Sequence, residues 1–219
     1  ELPKRSLYLP AARVACGSII VVPIGFPKPL TDMGGAEARL LGPAALNSSL
    51  PAVRADAHKG MRGHVAVIGG SVGTAGAARL AATAAASSRA GLVTLHADAD
   101  TYSIQAAALT SVMVVPWSEA ADPAVLTEKF DSLVVGPGWG TGPDRAAWLR
   151  NLLELPVCGV LDADAITLLD ASHGRPRPCA GRWVLTPHPG ELARALETTP
   201  ANVLADPIGA ANELAMRLG

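Results

Sequence analysis

Four short segments combine glycines, carboxylates and a histidine in patterns suited to phosphate handling and proton transfer. The most specific is Thr186-Pro187-His188-Pro189-Gly190-Glu191. Thr186 and His188 each precede a proline, which disfavours helical backbone and pushes both residues extended. Pro189 suits the first position of a helix, and Glu191 falls in its first turn, where negative charge is favourable. The junction is expected to present His188 and Glu191 outward, with an imidazole able to give or take a proton near neutrality. Asp162-Ala163-Asp164 sets two carboxylates at i and i+2, which share one face of an extended chain. Alternatively, Asp164 caps the helix that follows.

The other two segments are glycine-rich. Gly69-Gly70-Ser71-Val72-Gly73-Thr74-Ala75-Gly76-Ala77 leads from an apolar run into a helical one. Such a turn offers backbone N–H groups and a positive helix end to an anion; it also reads as a tight turn requiring positive φ. It lacks the Gly-Lys-Ser/Thr of a Walker loop and the Gly-x-Gly-x-x-Gly of a dinucleotide fold. Upstream, Lys59 in His58-Lys59-Gly60 is either a cation for a phosphate or a solvated surface lysine. Gly136-Pro137-Gly138-Trp139-Gly140-Thr141-Gly142 carries four glycines in seven residues, which would let a ligand touch backbone or would form a plain loop.

Short apolar runs alternating with helical segments must position these groups. Strands are expected at His64–Ile68, Leu92–His96, Val112–Val115, Ser132–Val135, Val157–Leu161 and Trp183–Leu185. Helices are expected over Ala75–Ala90, Tyr102–Leu109, Ala124–Phe130, Asp144–Glu154 and Ala165–Leu169, with another opening at Pro189. This alternation predicts an α/β fold, a mostly parallel sheet with helices on both faces. Ligands of such sheets sit at the carboxyl ends of the strands, where all four segments fall. Further upstream, Ser18–Val22 reads as a short strand. Residues 31–57 read as a connector with a short helix near Ala36–Leu41, broken by Pro43 and Asn47-Ser48-Ser49.

Composition narrows the function classes. Of 219 residues, 49% are apolar and 17% charged, against roughly 25% charged in an average domain. That content builds a core and excludes intrinsic disorder. Only 4% are aromatic, so small aliphatic side chains must fill it. Basic and acidic residues number 18 and 19, with only four lysines and no cationic run. Nucleic acid is therefore not an expected partner, since phosphate-backbone affinity needs a clustered positive face. Cys16, Cys158 and Cys179 are too few and scattered for a disulfide framework or zinc site. No segment reaches the run of about 20 apolar residues that spans a bilayer, and Glu1-Leu2-Pro3-Lys4 does not open like a signal peptide. A soluble, cytoplasmic protein without membrane partners is expected.

Taken in order, the motifs resemble the ADP-dependent NAD(P)H-hydrate dehydratase family, which has a ribokinase-like fold. The resemblance is carried by His58-Lys59-Gly60 with Gly63, Val67-Ile68-Gly69-Gly70-Ser71 through Gly76-Ala77, and Gly91-Leu92-Val93. It continues through Val135-Gly136-Pro137-Gly138, Leu161-Asp162-Ala163-Asp164-Ala165 and Leu185-Thr186-Pro187-His188-Pro189-Gly190-Glu191, spanning residues 58–196. The resemblance implies repair of the (S) form of the 6-hydroxy hydrate of NADH or NADPH. A phosphoryl group from ADP activates the hydroxyl, and phosphate leaves as the ring double bond reforms, giving AMP and NADH or NADPH.

On the same basis Ala77, Gly138 and His188 contact the hydrate, and Lys59, Gly70, Ser71, Asp162 and Asp164 line its pocket. His188 and Glu191 are the implied catalytic pair, with Glu191 near Mg2+ and the transferred phosphate. His188 stands where related vitamin kinases carry an Asn. Residues 1–30 resemble the tail of the epimerase domain of bifunctional members, although Pro23 replaces a usual acidic residue. Residues 31–57 would be a connector and 58–219 the N-terminal part of the dehydratase domain. The family's Lys-Gly-x-x-Thr and Gly-Thr-Gly-Asp nucleotide segments are expected beyond Gly219, so residues 1–219 alone are expected to be an inactive part of a larger, homo-oligomeric enzyme. Two other readings compete: a ribokinase-like kinase of a small vitamin precursor, and a non-catalytic nucleotide-binding module.

Overall fold

His64-Val65-Ala66-Val67-Ile68 shows no polar alternation because both of its faces are covered, as in the centre of a parallel sheet. In the computed structural model, which describes residues 4–27, 38, 40–50, 52–118, 122–169 and 182–218, this run is strand β1. It is joined by β2 (Leu92–Asp98), β3 (Met113–Trp117), β4 (Ser132–Val135), β5 (Gly159–Leu161) and β6 (Trp183–Leu185). The sheet order is β3-β2-β1-β4-β5-β6 and every pair is parallel. The order reverses between β1 and β4, so the crevice of such a sheet opens there.

Side chains alternate across the sheet and separate two cores. Ala66 and Ile68 of β1, Leu133 and Val135 of β4 and Leu161 of β5 meet helices α5 (Pro123–Lys129), α6 (Pro143–Leu153) and α7 (Asp164–Leu168). Val65 and Val67, with Val93, Leu95 and Ala97 of β2, meet Ala78 and Ala82 of α3 (Ala75–Ser87). Helix α4 (Ala99–Ala108) lies beside α3. The alanines of α3 let it approach the strands closely. Beyond β6, α8 (Pro189–Ala195), α9 (Pro200–Ala205) and α10 (Pro207–Leu218) form a third cluster around Leu192, Val203 and Leu214, against Leu169 and Leu185.

The N-terminal expectations fare differently. Residues 18–22 form no strand: the run has no ladder partner among the described residues, and Ile20 and Val22 face solvent. An apolar run without a neighbouring strand lacks the cross-strand pairs that stabilise sheet. Of the helix expected near 36–41, Ala36, Glu37 and Arg39 lie outside the described residues, and Ala38, Leu40 and Leu41 carry no regular structure. Helix α1 spans Pro10–Cys16, and α2 spans Pro43–Ser49, where breakers were expected. Pro43 takes the first helical position, which needs no N–H donor. Ser48 and Ser49 donate to the Ala45 carbonyl at 2.8 and 3.0 Å and extend the turn.

Candidate active site at the strand carboxyl ends

The ends of β1, β4, β5 and β6 lie side by side and carry the four segments. At the reversal, the two glycine loops are tied directly to each other. Gly70 N donates to Pro137 O and Gly138 O, both at 3.0 Å, and Ser71 N donates to Gly138 O at 2.7 Å. Ser71 Oγ and Thr74 Oγ1 donate to the same Gly138 oxygen, each at 3.0 Å. Gly138 adopts φ +58°, and a Cβ there would sit 2.5 Å from Thr74 O. The expectation that the first loop offers its N–H groups to an anion therefore fails for Gly70 and Ser71, whose donors are used by the second loop. Pairing buried backbone groups across two loops satisfies them without a ligand.

Asp162 and Asp164 do not share a face. Ala163, between them, has φ +47° and ψ −112°, a conformation costly for a residue with a Cβ. The kink aims Asp162 toward β6, where Thr186 Oγ1 donates to its Oδ1 at 2.7 Å. Asp164 turns to the β4–α6 loop and accepts from Gly140 N at 2.7 Å. Nor does Asp164 cap α7, whose N-terminal position is Ala163 without a side-chain bond.

His188 and Glu191 form a reciprocal cap on α8. His188 Nδ1 accepts from Gly190 N at 3.0 Å and Glu191 N at 3.3 Å. Its own N–H donates to Glu191 Oε2 at 2.9 Å, and its Nε2 lies 3.2 Å from Glu191 Oε1. Because Nδ1 accepts, the neutral ring carries its proton on Nε2. His188 is largely exposed, whereas Glu191 is buried rather than outward. A ligand hydroxyl or phosphate could take the Nε2–H only by displacing Glu191 Oε1 from it.

Ala77 is exposed on the first turn of α3, near Ser71 and Thr74. Lys59 stands apart: it lies in a single 3-10 turn, Lys59–Arg62, before β1, and its carbonyl packs against Gly91 ahead of β2. The length of β1 separates it from the other candidates.

The sequence reading missed several buried polar groups behind the site. Thr101 and Gln105 of α4 bond to the first glycine loop. Arg145 Nη2 of α6 pairs with Asp98 Oδ2 at 2.8 Å and stacks on Trp117, its Cζ 5.2 Å from the ring centroid. Trp117, Trp139 and Trp148 meet edge to face beneath it. The available signal was an i, i+4 polar pair on a helix whose apolar Tyr102 and Ile104 point outward.

For a metal, no group of three or more His, Cys, Asp or Glu side chains gathers among the described residues. Mg2+ takes one or two carboxylates and completes its shell with water and phosphate. Asp162 and Glu191 suit that in kind, since each carboxylate oxygen has a second lone pair beyond the one engaged here.

Residues 65–219 match the family model described as NAD(P)H-hydrate dehydratase. The bifunctional NAD(P)H-hydrate repair enzyme of Coxiella burnetii is 37% identical over 212 residues, covering 97% of this chain and 43% of that protein. The ADP-dependent (S)-NAD(P)H-hydrate dehydratase of Neisseria meningitidis is 37% identical over 172 residues, 75% of this chain and 56% of that protein. The chain thus spans about half the length of the curated relatives it matches. A crystal structure of the ADP/ATP-dependent NAD(P)H-hydrate dehydratase of Bacillus subtilis, co-crystallized with ATP and Mg2+, superposes with TM-score 0.67 at 24% identity, over 80% of this chain and 62% of that one. A ribokinase-like superfamily protein of Enterococcus faecalis does so at 0.68 and 23%, covering 84% and 64%. The α/β fold is therefore ribokinase-like, and over the matched residues the chain belongs to the NAD(P)H-hydrate dehydratase family.

Proposed function

We propose that this chain forms the substrate-facing part of an ADP-dependent (S)-NAD(P)H-hydrate dehydratase, a lyase that repairs hydrated NADH or NADPH. The observation that carries the reading is the His188–Glu191 pair at the end of β6, beside Asp162 and in line with the cross-tied glycine loops. In the proposed reaction the hydrate hydroxyl takes a phosphoryl group from ADP, leaving AMP. The C–O bond then breaks, the hydroxyl oxygen departs with phosphate, and the adjacent carbon loses a proton as the double bond forms. Little covalent work falls to the protein in phosphoryl transfer; positioning and charge stabilisation dominate.

His188 Nε2–H donates to the hydroxyl or its phosphate in place of Glu191 Oε1, while the bonds to Nδ1 hold the ring in orientation. Gly138, Gly70, Ser71 and Ala77 shape the wall against which the nicotinamide lies. Asp162 and Asp164 flank it, the latter through its hold on Gly140. Lys59, at the amino end of β1, would meet substrate only from the opposite end of the strands. Mg2+, held through Asp162 and Glu191 with water, would neutralise phosphate charge.

Residues 1–30 are proposed as the tail of an epimerase-like domain and 31–57 as a connector. The Coxiella relative, named bifunctional, matches across them, and Ile20 and Ile24 stand 80% and 74% exposed. A homo-oligomer is proposed as well, on the family resemblance alone. A cytoplasmic location is part of the same proposal; no described helix is long and apolar enough to cross a membrane.

The test is to supply hydrated NADH with ADP and Mg2+ to the full protein carrying this chain and follow the near-ultraviolet absorbance of reduced nicotinamide. ADP-dependent recovery with release of AMP is the expected result. A stable phosphorylated product without NADH would favour the kinase, and binding without turnover the nucleotide-binding module.

A further inference from the structure

Helix α4 buries polar side chains and exposes apolar ones. Gln105 is completely buried and Thr101 nearly so, while Tyr102 and Ile104 on the same helix are 38% and 60% exposed. An amide or hydroxyl taken from water costs free energy unless it is bonded, and both are. Thr101 Oγ1 lies 2.5 Å from Gly70 O and 3.1 Å from Asp98 O. Gln105 Nε2 donates to Ala75 O at 2.6 Å, and Arg79 Nε donates to Gln105 Oε1 at 3.2 Å. These contacts grip both ends of the first glycine loop. Gly70 itself has φ +84°, and a Cβ on it would lie 2.9 Å from Gln105 Nε2 and from Ala78 Cβ. An apolar side chain of similar volume could fill the space, but it could not fix the direction of two carbonyls. With Gly70 O held below, Gly70 N and Ser71 N point at Gly138 O, and the loops close.

We infer that Thr101 and Gln105 are positioning residues: they set the first glycine loop in the conformation that receives substrate, without touching substrate. The inference rests on the dehydratase reading for the ligand's identity, but the loop's order can be measured independently. The experiment is amide hydrogen exchange over residues 69–77 in the full protein, with equilibrium binding of hydrated NADPH, for Thr101→Val, Thr101→Ser and Gln105→Met. One lost hydrogen bond corresponds to about tenfold in a local opening equilibrium. Thr101→Val is expected to speed exchange in 69–77 by about tenfold relative to β5 and weaken binding by a similar factor. Thr101→Ser, which keeps the hydroxyl, is expected to return both to within about threefold. Gln105→Met should act like Thr101→Val; if it does not fold, the two Thr101 variants decide alone.

Unchanged exchange in Thr101→Val, acceleration spread evenly over the sheet, or local acceleration with unaltered affinity would each overturn the inference. If the unsubstituted protein fails to bind the hydrate, the dehydratase reading falls, and the exchange comparison still decides whether α4 orders the loop.

Discussion

The imidazole of His96 makes folding stability depend on pH. It lies on β2 with its Nε2 buried and unbonded among the described residues, against the edge of Phe130, whose ring centroid is 5.4 Å away. Burial, with smaller contributions from the nearby positive charges of His64 and Lys129, pushes its pKa from 6.5 to about 4. The unfolded chain therefore takes up the proton near pH 6.5, whereas the folded chain resists until about pH 4. Between those values the unfolded state binds more protons, so stability falls as pH falls. A displacement from 6.5 to about 4 corresponds to roughly 3 kcal/mol, present above pH 6.5 and fully lost below about pH 4. His64, also displaced downward by burial, contributes with the same sign.

The assay is urea unfolding at closely spaced pH values for the unsubstituted chain and for His96→Leu, which cannot titrate. The unsubstituted chain should lose about 3 kcal/mol more than His96→Leu between pH 7 and pH 4. At pH 7 the two should differ by much less, because His96 is already neutral and its ring mainly fills space. Parallel curves through the acid range would refute the argument and mean that the ring is wetter, or better partnered, than its surroundings here imply.

Substituting Gly138→Ala should lower the unfolding free energy in urea by about 2 kcal/mol or more, since positive φ and the Thr74 carbonyl both oppose a Cβ there. Asp164→Ala leaves Gly140 N without its acceptor and should cost about 2 kcal/mol, whereas Asp164→Asn, which keeps an oxygen acceptor, should cost under about half of that by the same unfolding assay. Arg145→Met strands the Asp98 carboxylate and should cost about 3 kcal/mol; adding Asp98→Asn should restore part of it, a coupling read from a double-mutant cycle.

The strands were legible because each is an apolar run of strand length ended by glycine, proline or a charge. The six recovered runs include the four whose ends carry the site. What failed was geometry that composition does not encode. Ala163 occupies a conformation that glycine would advertise, so nothing in Asp162-Ala163-Asp164 signals that the two carboxylates turn apart. Helix α4 begins at Ala99 rather than Tyr102, because its buried positions are polar and its apolar ones exposed, inverting the periodic signal. Pro43 marked a break by its lack of an N–H, yet the same property suits the start of α2. The glycines of the two loops were visible, but their use was not: they let the loops bond to each other.

That last difference divides the site into two halves with unlike chemistry. On the β1 and β4 side, the Gly70 and Ser71 donors are engaged by the neighbouring loop, and Gly138 O accepts from several donors. This half can offer a fixed shape but few free hydrogen bonds. On the β5 and β6 side, Asp162 is engaged through Oδ1, and His188 and Glu191 are engaged mainly with each other, at a largely exposed ring. On the proposed function, a ligand lying across the reversal would find its outline set by glycine backbone and its charge and proton contacts set by Asp162, His188 and Glu191. Changes in the first half should act on how well a ligand fits, through loop order. Changes in the second should act on the groups that meet its reacting atoms.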